Sequence, residues 1–151
     1  MTTYSGAWTE LTVSKYLDRT TVPLRIACHT PADRLWIVSL WYLFRDGKFH
    51  CATAAHADIV RFLEHDSNVG FEVSTNKPPY KGIRGSGVAS IESDPEKTVL
   101  RELLDRYVGD TGSEFAERLL SDERDEVTLQ IDPERVFSWD FTERMQEVED
   151  K

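Results

Sequence analysis

The sequence predicts a mainly β fold of the α+β class, in which six or seven antiparallel strands form a barrel with peripheral helices. Short segments rich in β-branched and aromatic residues recur along the chain, and turn-forming residues separate them. One central helix and one inserted pair of helices interrupt the series. Strands joined by tight turns pair antiparallel. Closure into a barrel is favoured because it leaves no sheet edge exposed.

The chain of 151 residues has the length of one domain, which we place at residues 1–151. Residues 1–91 carry 10 Lys and Arg against 8 Asp and Glu, whereas residues 92–151 carry 8 against 19. This acidic second half disfavours nucleic acids and anionic membranes as partners, because like charges repel. The first residues lack a signal-peptide pattern, and no apolar stretch reaches the ~18 residues of a membrane span. We therefore expect a cytoplasmic protein.

The first half of the chain predicts a three-strand meander followed by the central helix. The predicted elements are a loose segment at residues 1–7, a helix at 8–19, strands at 22–30, 35–44 and 48–53, and a helix at 56–65. The strand at 35–44 is nearly all apolar or aromatic, so we expect it to be covered on both faces. After it, Asp46-Gly47 supplies the positive φ angles of a tight hairpin turn.

The second half predicts further strands, which contain two notable glycines and one proline. The predicted elements are strands at residues 68–75, 83–93, 126–131 and 135–141, and a charged tail at 142–151 that we expect to fray. Gly85 and Gly87 indicate a bulge, a sharp bend or the close approach of a ligand to the backbone. Pro133 has no N–H group to donate, so it is expected to separate the last two strands.

A pair of helices at about residues 95–121 is predicted as an insertion in the barrel and as a solvent-exposed cover. Asp94 is a favourable N-cap and Pro95 suits the first helical position, so the first helix is expected to begin there. The second helix follows a capping box formed by Thr111 and Glu114.

The end of the strand at residues 48–53 predicts an anion site. Its last residue, Thr53, lies just before a helix start, where unpaired backbone N–H groups suit a phosphate. A hairpin and a helix that only build the core produce the same pattern. Residues alone therefore leave both interpretations open.

The histidines and cysteines predict neither a metal site nor a disulfide. The four histidines, at positions 29, 50, 56 and 65, lack the spacing of zinc ligands. Cys28 and Cys51 fall in predicted strands, so we expect both thiols to be buried and reduced. A thiol nucleophile at Cys51 with His56 is an alternative interpretation.

Several motifs, in the same order along the chain, resemble those of the FMN-binding split β-barrels related to pyridoxamine 5′-phosphate oxidase. They are the strand at residues 37–44, the Asp46-Gly47 turn, Phe49-x-x-Ala52-Thr53-Ala54, the loop Pro79-Tyr80-Lys81-Gly82-Ile83-Arg84-Gly85, and Pro133-x-Arg135-Val136-x-x-Trp139-Asp140. The resemblance covers most of residues 22–141 and implies a split β-barrel.

The resemblance also implies a homodimer that binds FMN, or in some branches the deazaflavin F420, at the subunit interface. The flavin transfers hydride or electrons to or from a small organic substrate, so no protein acid or base is assigned as catalytic. The implied cofactor-binding residues are Ser39, Leu40, Trp41, Tyr42, Ala52, Thr53, His56, Lys81, Arg84 and Trp139. Trp41 and Trp139 are the candidates for stacking on the flavin, with core or interface packing as the alternative.

One departure from the family pattern follows Thr53. The phosphate-binding helix of the family usually carries a Ser-Arg-Lys run, and this chain has Ala57-Asp58-Ile59 in its place. An acid about 4 Å from a phosphate costs roughly 4 kcal/mol at an effective dielectric constant of ~20. Either Asp58 points away, as expected of an acid in the first turn of a helix, or the phosphate is not there. His56, Lys81, Arg84 and Arg61 are candidate replacements for the missing cations.

Two alternatives to a flavin oxidoreductase remain at this point. A degenerate, non-catalytic cofactor-binding split barrel is suggested by Ala57-Asp58-Ile59. A haem-binding relative is the other, because some split barrels resemble haem binders, and it requires an axial ligand such as His29, His50 or His56.

Overall fold

The computed structural model describes residues 1–109 and 112–149, which form eight strands and five helices. The elements are β1 (Thr3–Gly6), α1 (Glu10–Arg19), β2 (Leu24–His29), β3 (Leu35–Leu40), β4 (Leu43–Arg45), β5 (Lys48–Ala54), α2 (Asp58–His65), β6 (Asn68–Ser74), β7 (Lys81–Ser93), α3 (Thr98–Tyr107), α4 (Glu114–Leu119), β8 (Glu126–Asp140) and α5 (Thr142–Glu149). Within these residues, no helix is both long and apolar enough to span a membrane.

The eight strands belong to one sheet that curls on itself. Seven of them follow the order β3-β2-β6-β7-β8-β5-β4 with antiparallel pairing, and β1 pairs with β8 in parallel. β3 and β4 lie at opposite ends of this order, yet only Trp41 and Tyr42 separate them in the chain. So short a link requires the two edges to approach each other. The predicted α+β fold with an antiparallel split barrel is confirmed, with eight strands in place of six or seven.

The prediction of one strand over residues 35–44, covered on both faces, is wrong. The strand breaks at Trp41 and Tyr42, and its two halves pair with different neighbours. Tyr42 is fully buried, and its hydroxyl donates to the Leu17 carbonyl at 2.8 Å. On β3, Leu35 and Ile37 are 78% and 70% exposed, so only the opposite face of this strand is covered. Part of this apolar sequence, including Leu35 and Ile37, therefore forms a surface of β3 that the rest of the chain leaves exposed.

The hairpin and the inward-facing residues agree with the prediction. Asp46 and Gly47 connect β4 to β5 with φ angles of +55° and +75°. Alternate residues of each strand fill the barrel, as the alternation of β2, β5 and β6 requires. The buried residues of these strands are Leu24, Ile26, Cys28, Phe49, Cys51, Val69, Phe71 and Val73.

Two expectations about the ends of the sheet are corrected. Residues 3–6, expected to be loose, form β1, and the neighbouring Thr2 hydroxyl donates to the Pro133 carbonyl at 2.7 Å. Pro133 does not separate two strands, because it lies opposite Gly87 at a register shift in the ladder. A proline is tolerated at such a bulge, where no ladder donor is required. Residues 126–140 are therefore one strand, and a bulge, one of the three alternatives given for Gly85 and Gly87, is present between Ser86 and Gly87.

The helices also begin and end differently from the prediction. α3 begins at Thr98 instead of Pro95, although the Asp94 carboxylate still caps it by accepting the N–H groups of Thr98 and Val99 at 3.0 and 3.1 Å. α4 is capped by Ser113, whose hydroxyl accepts the Ala116 N–H group, while Thr111 lies outside the described residues. The tail expected to fray is helical over Thr142–Glu149.

The inserted helices α3 and α4 carry a small core of their own against the outer face of β5. Its members are Leu100, Leu104 and Ala116, with Trp41, Ala52, Leu119 and Leu120 packed against them. Arg106 of α3 ties this unit to the barrel, because its guanidinium donates to the carbonyls of Leu17 and Asp18, each at 2.9 Å. The insertion is thus fastened to the carbonyl end of α1.

Replacing Gly85 with Ala is expected to destabilise the sheet. A Cβ atom at Gly85 would lie 2.0 Å from the Arg135 carbonyl oxygen and 2.7 Å from Cζ of Phe71. Because the first of these contacts is with paired backbone, we expect the free energy of unfolding to fall by about 3 kcal/mol or more. Urea denaturation followed by tryptophan fluorescence measures this loss.

Gly47→Ala is the matched control for this substitution. Its Cβ atom would meet nothing within 4 Å, so only the left-handed φ of +75° opposes the change. We expect a loss of about 1–2 kcal/mol. An equal loss in the two variants would contradict the close approach of β7 and β8 at Gly85.

Candidate functional site

A groove of about 640 Å³ crosses the outer face of the curled sheet. Directly opposed residues of neighbouring strands form two rows across it, and strand alternation turns their side chains away from the barrel core. The first row is Ser39, Arg25, Glu72, Arg84 and Phe137. The second row is Ile37, Ala27, Gly70, Ser86 and Arg135.

The middle of the groove is apolar and is lined by small residues. Ala27 and Gly70 are adjacent small residues at its centre, so little side-chain volume fills the space above them. Ile37 flanks them on one side, and Phe137, which is 38% exposed, lies toward the other. Small-molecule sites typically occupy about 300–1,000 Å³ and combine apolar walls with a few polar groups. The groove has this size and this composition.

The groove is positively charged although the chain carries a net charge of −9. Three arginines, Arg25, Arg84 and Arg135, line it against one acid, Glu72, a net charge of +2. Within the described part of the chain, none of these arginines forms an ion pair. Glu72 instead accepts the Ser74 hydroxyl at 2.9 Å. The groove therefore holds uncompensated positive charge.

Arg25 and Arg84 are held in different ways. One terminal nitrogen of Arg25, Nη2, donates to Oδ1 of Asn76 at 3.3 Å, while Nη1 is buried without a hydrogen-bond partner. The Arg84 guanidinium lies over the rings of Phe137 and Trp139, with distances of 4.5 and 5.4 Å to the ring centroids. A buried donor without a partner is costly, so a ligand acceptor that Nη1 reaches after rotation of the Arg25 side chain would be favourable.

Three residues predicted to bind the cofactor belong to this region. Ser39 lies on the outer face of β3 and Arg84 lines the groove, while Trp139 lies beneath the Arg84 guanidinium. Lys81, also on β7, pairs with Asp140 at the end of the sheet beside Trp139. Contact of these four residues with a cofactor stays a prediction.

The remaining predicted residues face other surroundings. Trp41 stacks on Tyr107 of α3, with centroids 5.1 Å apart and planes 8° from parallel, and Ala52 packs under the same helical pair. Leu40 packs against the barrel core, which also contains the buried Tyr42 side chain. These contacts are the core-packing alternative weighed for Trp41.

The predicted phosphate site beside Thr53 has an acidic environment. His56 is exposed, and Asp58 opens α2 in an ion pair with Arg61 at 3.1 Å, so Asp58 turns toward Arg61 and engages its charge. A neighbouring pocket of about 430 Å³ includes Val127, the residue paired with Thr53. Four acids and two bases line this pocket, a net charge of −2. They are Asp94, Asp122, Asp125 and Glu126 with Lys97 and Arg124.

Sequence reasoning did not identify Arg25 or Phe137 as site residues, and it named Ile37 and Arg135 only within motifs. Alternation along residues 24–29 places Arg25 on the face opposite Leu24 and Ile26. This was the sequence feature that could have indicated an outward-facing site residue. Alternation does not reveal that β2 pairs with β6 or that β7 pairs with β8. The groove exists only because those pairings bring the arginines to one surface.

The metal and thiol alternatives gain no support. Across residues 1–109 and 112–149, no group of three or more His, Cys, Asp or Glu side chains is arranged to hold a metal ion. Cys28 and Cys51 are free thiols in the core. Burial raises the pKa of Cys51 to about 12, so its thiolate is scarce at neutral pH.

Comparisons with known proteins place the fold but not the activity. No known family model matches this chain, and no curated protein matches its sequence. Among solved structures, the conserved hypothetical protein Rv2991 from Mycobacterium tuberculosis superimposes with a TM-score of 0.73 at 21% identity, over 90% of this chain and 87% of that one. An F420 reductase gives 0.69 at 18% identity, over 81% and 94% of the two chains.

A third structure is a candidate pyridoxamine 5′-phosphate oxidase from Listeria innocua, with a TM-score of 0.61 at 12% identity over 83% of this chain and 91% of that chain. At these identities, the comparisons establish a shared fold. The split-barrel expectation from the sequence motifs is therefore supported for architecture.

Native Cys51 is expected to resist alkylation. At pH 8, a thiol with a pKa near 12 has about 1,000-fold less thiolate than one at its ordinary value of 9.0. We expect iodoacetamide labelling of a Cys28→Ala variant, followed by mass spectrometry, to be slower by about that factor in the native state than in urea. Native labelling at the rate of the unfolded chain would contradict the burial of Cys51.

Proposed function

We propose that this protein is a homodimeric flavin-dependent oxidoreductase that binds FMN, or the deazaflavin F420, between its subunits and acts on a small organic molecule. The observation that carries the proposal is the outer-face groove, which combines about 640 Å³ of space, an apolar centre and a net charge of +2. Flavin cofactors combine a flat, largely apolar ring system with an acidic tail. The groove suits both parts of such a ligand.

Residues of this chain would hold the ring by shape and the tail by charge. Ile37 and Ser39 of β3 form one side, and the Arg84 guanidinium over Phe137 and Trp139 lies on the other. When bound, the cofactor supplies the hydride or electron transfer, whereas the protein binds it, orients it and excludes water. One structural neighbour, an F420 reductase, performs such chemistry on the same fold.

The exposed apolar residues of β3 support a dimer. Leu35, at 78% exposure, and Ile37, at 70%, lie on the same face as Phe137. Contiguous apolar surface of this kind marks an interaction site. A two-fold symmetric dimer uses the same patch on both copies, so pairing through this face would cover both apolar surfaces and enclose the groove.

A non-catalytic cofactor-binding barrel is the second candidate. It is favoured by the strand end at Thr53, where Ala57 provides no side-chain cap for α2 and Asp58 pairs with Arg61. Such a protein would bind the flavin without turning it over.

Absorption spectroscopy and native mass spectrometry test the proposal together. We expect two chains with one flavin per chain, submicromolar binding of FMN or F420, and oxidation of NAD(P)H or reduced F420 in the presence of an acceptor. Stoichiometric flavin without turnover would favour the second candidate. A colourless protein that takes up neither flavin in titration would contradict both.

Ile37→Glu tests the apolar face directly. A charge in the middle of this face should weaken both flavin binding and dimerisation by about tenfold or more, because the carboxylate loses its hydration when the ring or the partner copy covers it. Leu11→Glu is the matched control, since Leu11 is 64% exposed on α1 and does not line the groove. Titration and light scattering measure the two effects. Equal behaviour of the two variants would contradict the proposed interface.

A further inference from the structure

We infer that this groove holds the acidic group of its ligand, a phosphate or carboxylate, on Arg25, Arg84 and Arg135, and that the strand end beside Thr53 does not. The inference rests on the proposed function, since it concerns the ligand of the same groove. It assigns the anion a place that the motif resemblance does not predict.

The first argument is the sign of the charge at the two sites. The groove has a net charge of +2, whereas the pocket next to the strand end, whose lining includes Val127 opposite Thr53 but not Thr53 itself, has a net charge of −2. An anion moved between the two linings meets surroundings that differ by four elementary charges, so its Coulomb energy is lower in the groove. Electrostatics therefore favours the groove strongly over the strand end.

The second argument is the hydrogen-bonding state of the arginines. Nη1 of Arg25 is buried without a partner, and neither Arg84 nor Arg135 has a carboxylate partner among the described residues. An anion accepting from Arg25 removes the cost of that unpaired donor. By contrast, Arg61 beside the strand end is already engaged by Asp58. The available donors are thus on the groove.

The third argument is the spacing of the rows. Arg25 and Arg84 lie in one row with Glu72 between them, so their Cβ atoms are about 10 Å apart. Arg135 lies in the next row, opposite Ser86. The Arg25 and Arg84 side chains lie toward Asn76 and Trp139, and their rotation toward Arg135 would bring the three groups to one tetrahedral or planar anion, for which the guanidinium fork is well suited. Glu72 is turned to the Ser74 hydroxyl and does not neutralise either neighbour.

Flavins with and without a phosphate test the inference. FMN and riboflavin share the ring and the ribityl chain and differ in the phosphate alone. We expect the protein to bind FMN at least tenfold more tightly than riboflavin, as measured by quenching of flavin fluorescence. Arg25→Gln, Arg84→Gln and Arg135→Gln should each weaken FMN binding by about 10- to 100-fold, and Arg25→Gln and Arg135→Gln should leave riboflavin binding nearly unchanged.

Three control variants make the result specific. Arg101→Gln removes the same charge from an exposed position on α3 outside the groove and should leave the FMN-to-riboflavin ratio unchanged. Thr53→Val and His56→Gln should change that ratio less than twofold. If Thr53→Val lowers the ratio and the groove variants do not, the phosphate lies at the strand end and the inference is wrong.

Two further outcomes are distinguished by independent measurements. If the groove variants dissociate the dimer in light scattering without changing the FMN-to-riboflavin ratio, the arginines pair with the partner copy, which also overturns the inference. If the protein binds neither FMN nor F420, the proposed function fails, and thermal stabilisation by inorganic phosphate decides the site. Stabilisation above a sodium chloride control that is lost in Arg25→Gln supports it, and no stabilisation overturns it.

Discussion

The two-residue link between β3 and β4 is the constraint on which the rest of the structure depends. Trp41 and Tyr42 carry the chain from one end of the strand order to the other, so the sheet must curl. Tyr42 anchors the link because its buried hydroxyl donates to the Leu17 carbonyl at 2.8 Å. Burial raises the pKa of this phenol, which keeps it a neutral donor. Both the barrel core and the outer groove follow from this curl.

The same link explains why Trp41 and Ala52 serve packing. The inserted helices cover the outer face of β5 at this point, and Trp41 stacks on Tyr107 while Ala52 closes the small core of the insertion. Arg106 then joins the insertion to the carbonyls that end α1. The helical pair thus covers one part of the sheet surface, and the groove lies on the outer faces of strands that the pair leaves open.

Acidic and basic side chains are concentrated on different surfaces of the molecule, which the net charge of −9 does not show. Acids gather around the polar pocket beside Val127, where Glu126 is nearly buried and pairs with Arg124 at 2.9 Å. Arginines gather on the outer face of β2, β7 and β8 without such partners. A buried carboxylate needs a nearby cation, and Arg124 supplies it for Glu126. In the part of the chain that the structure describes, the arginines of the groove have no such ion-pair partner. The first surface contains an ion pair and keeps a net charge of −2, and the second is left to attract an anion.

Local pattern determined a large part of this protein. Alternation in residues 24–29 and 68–74 assigned the buried face, Asp46-Gly47 determined the turn, and the order of motifs indicated the split barrel. These features depend on neighbours in the chain, so residue type and spacing suffice to predict them. The prediction that Pro133 separates two strands was wrong because the effect of a proline on a strand depends on the residue opposite, here Gly87.

Only the tertiary structure decided the site. Arg25, Arg84 and Arg135 are distant in the chain and meet because β2, β6, β7 and β8 are neighbours in the sheet. The exposure of Ile37 likewise reflects what does not cover β3, which no local pattern records. The whole core determines which strands pair. The alternation of a strand therefore determines which face of the sheet a residue lies on. The fold determines which residues of other strands lie beside it on that face.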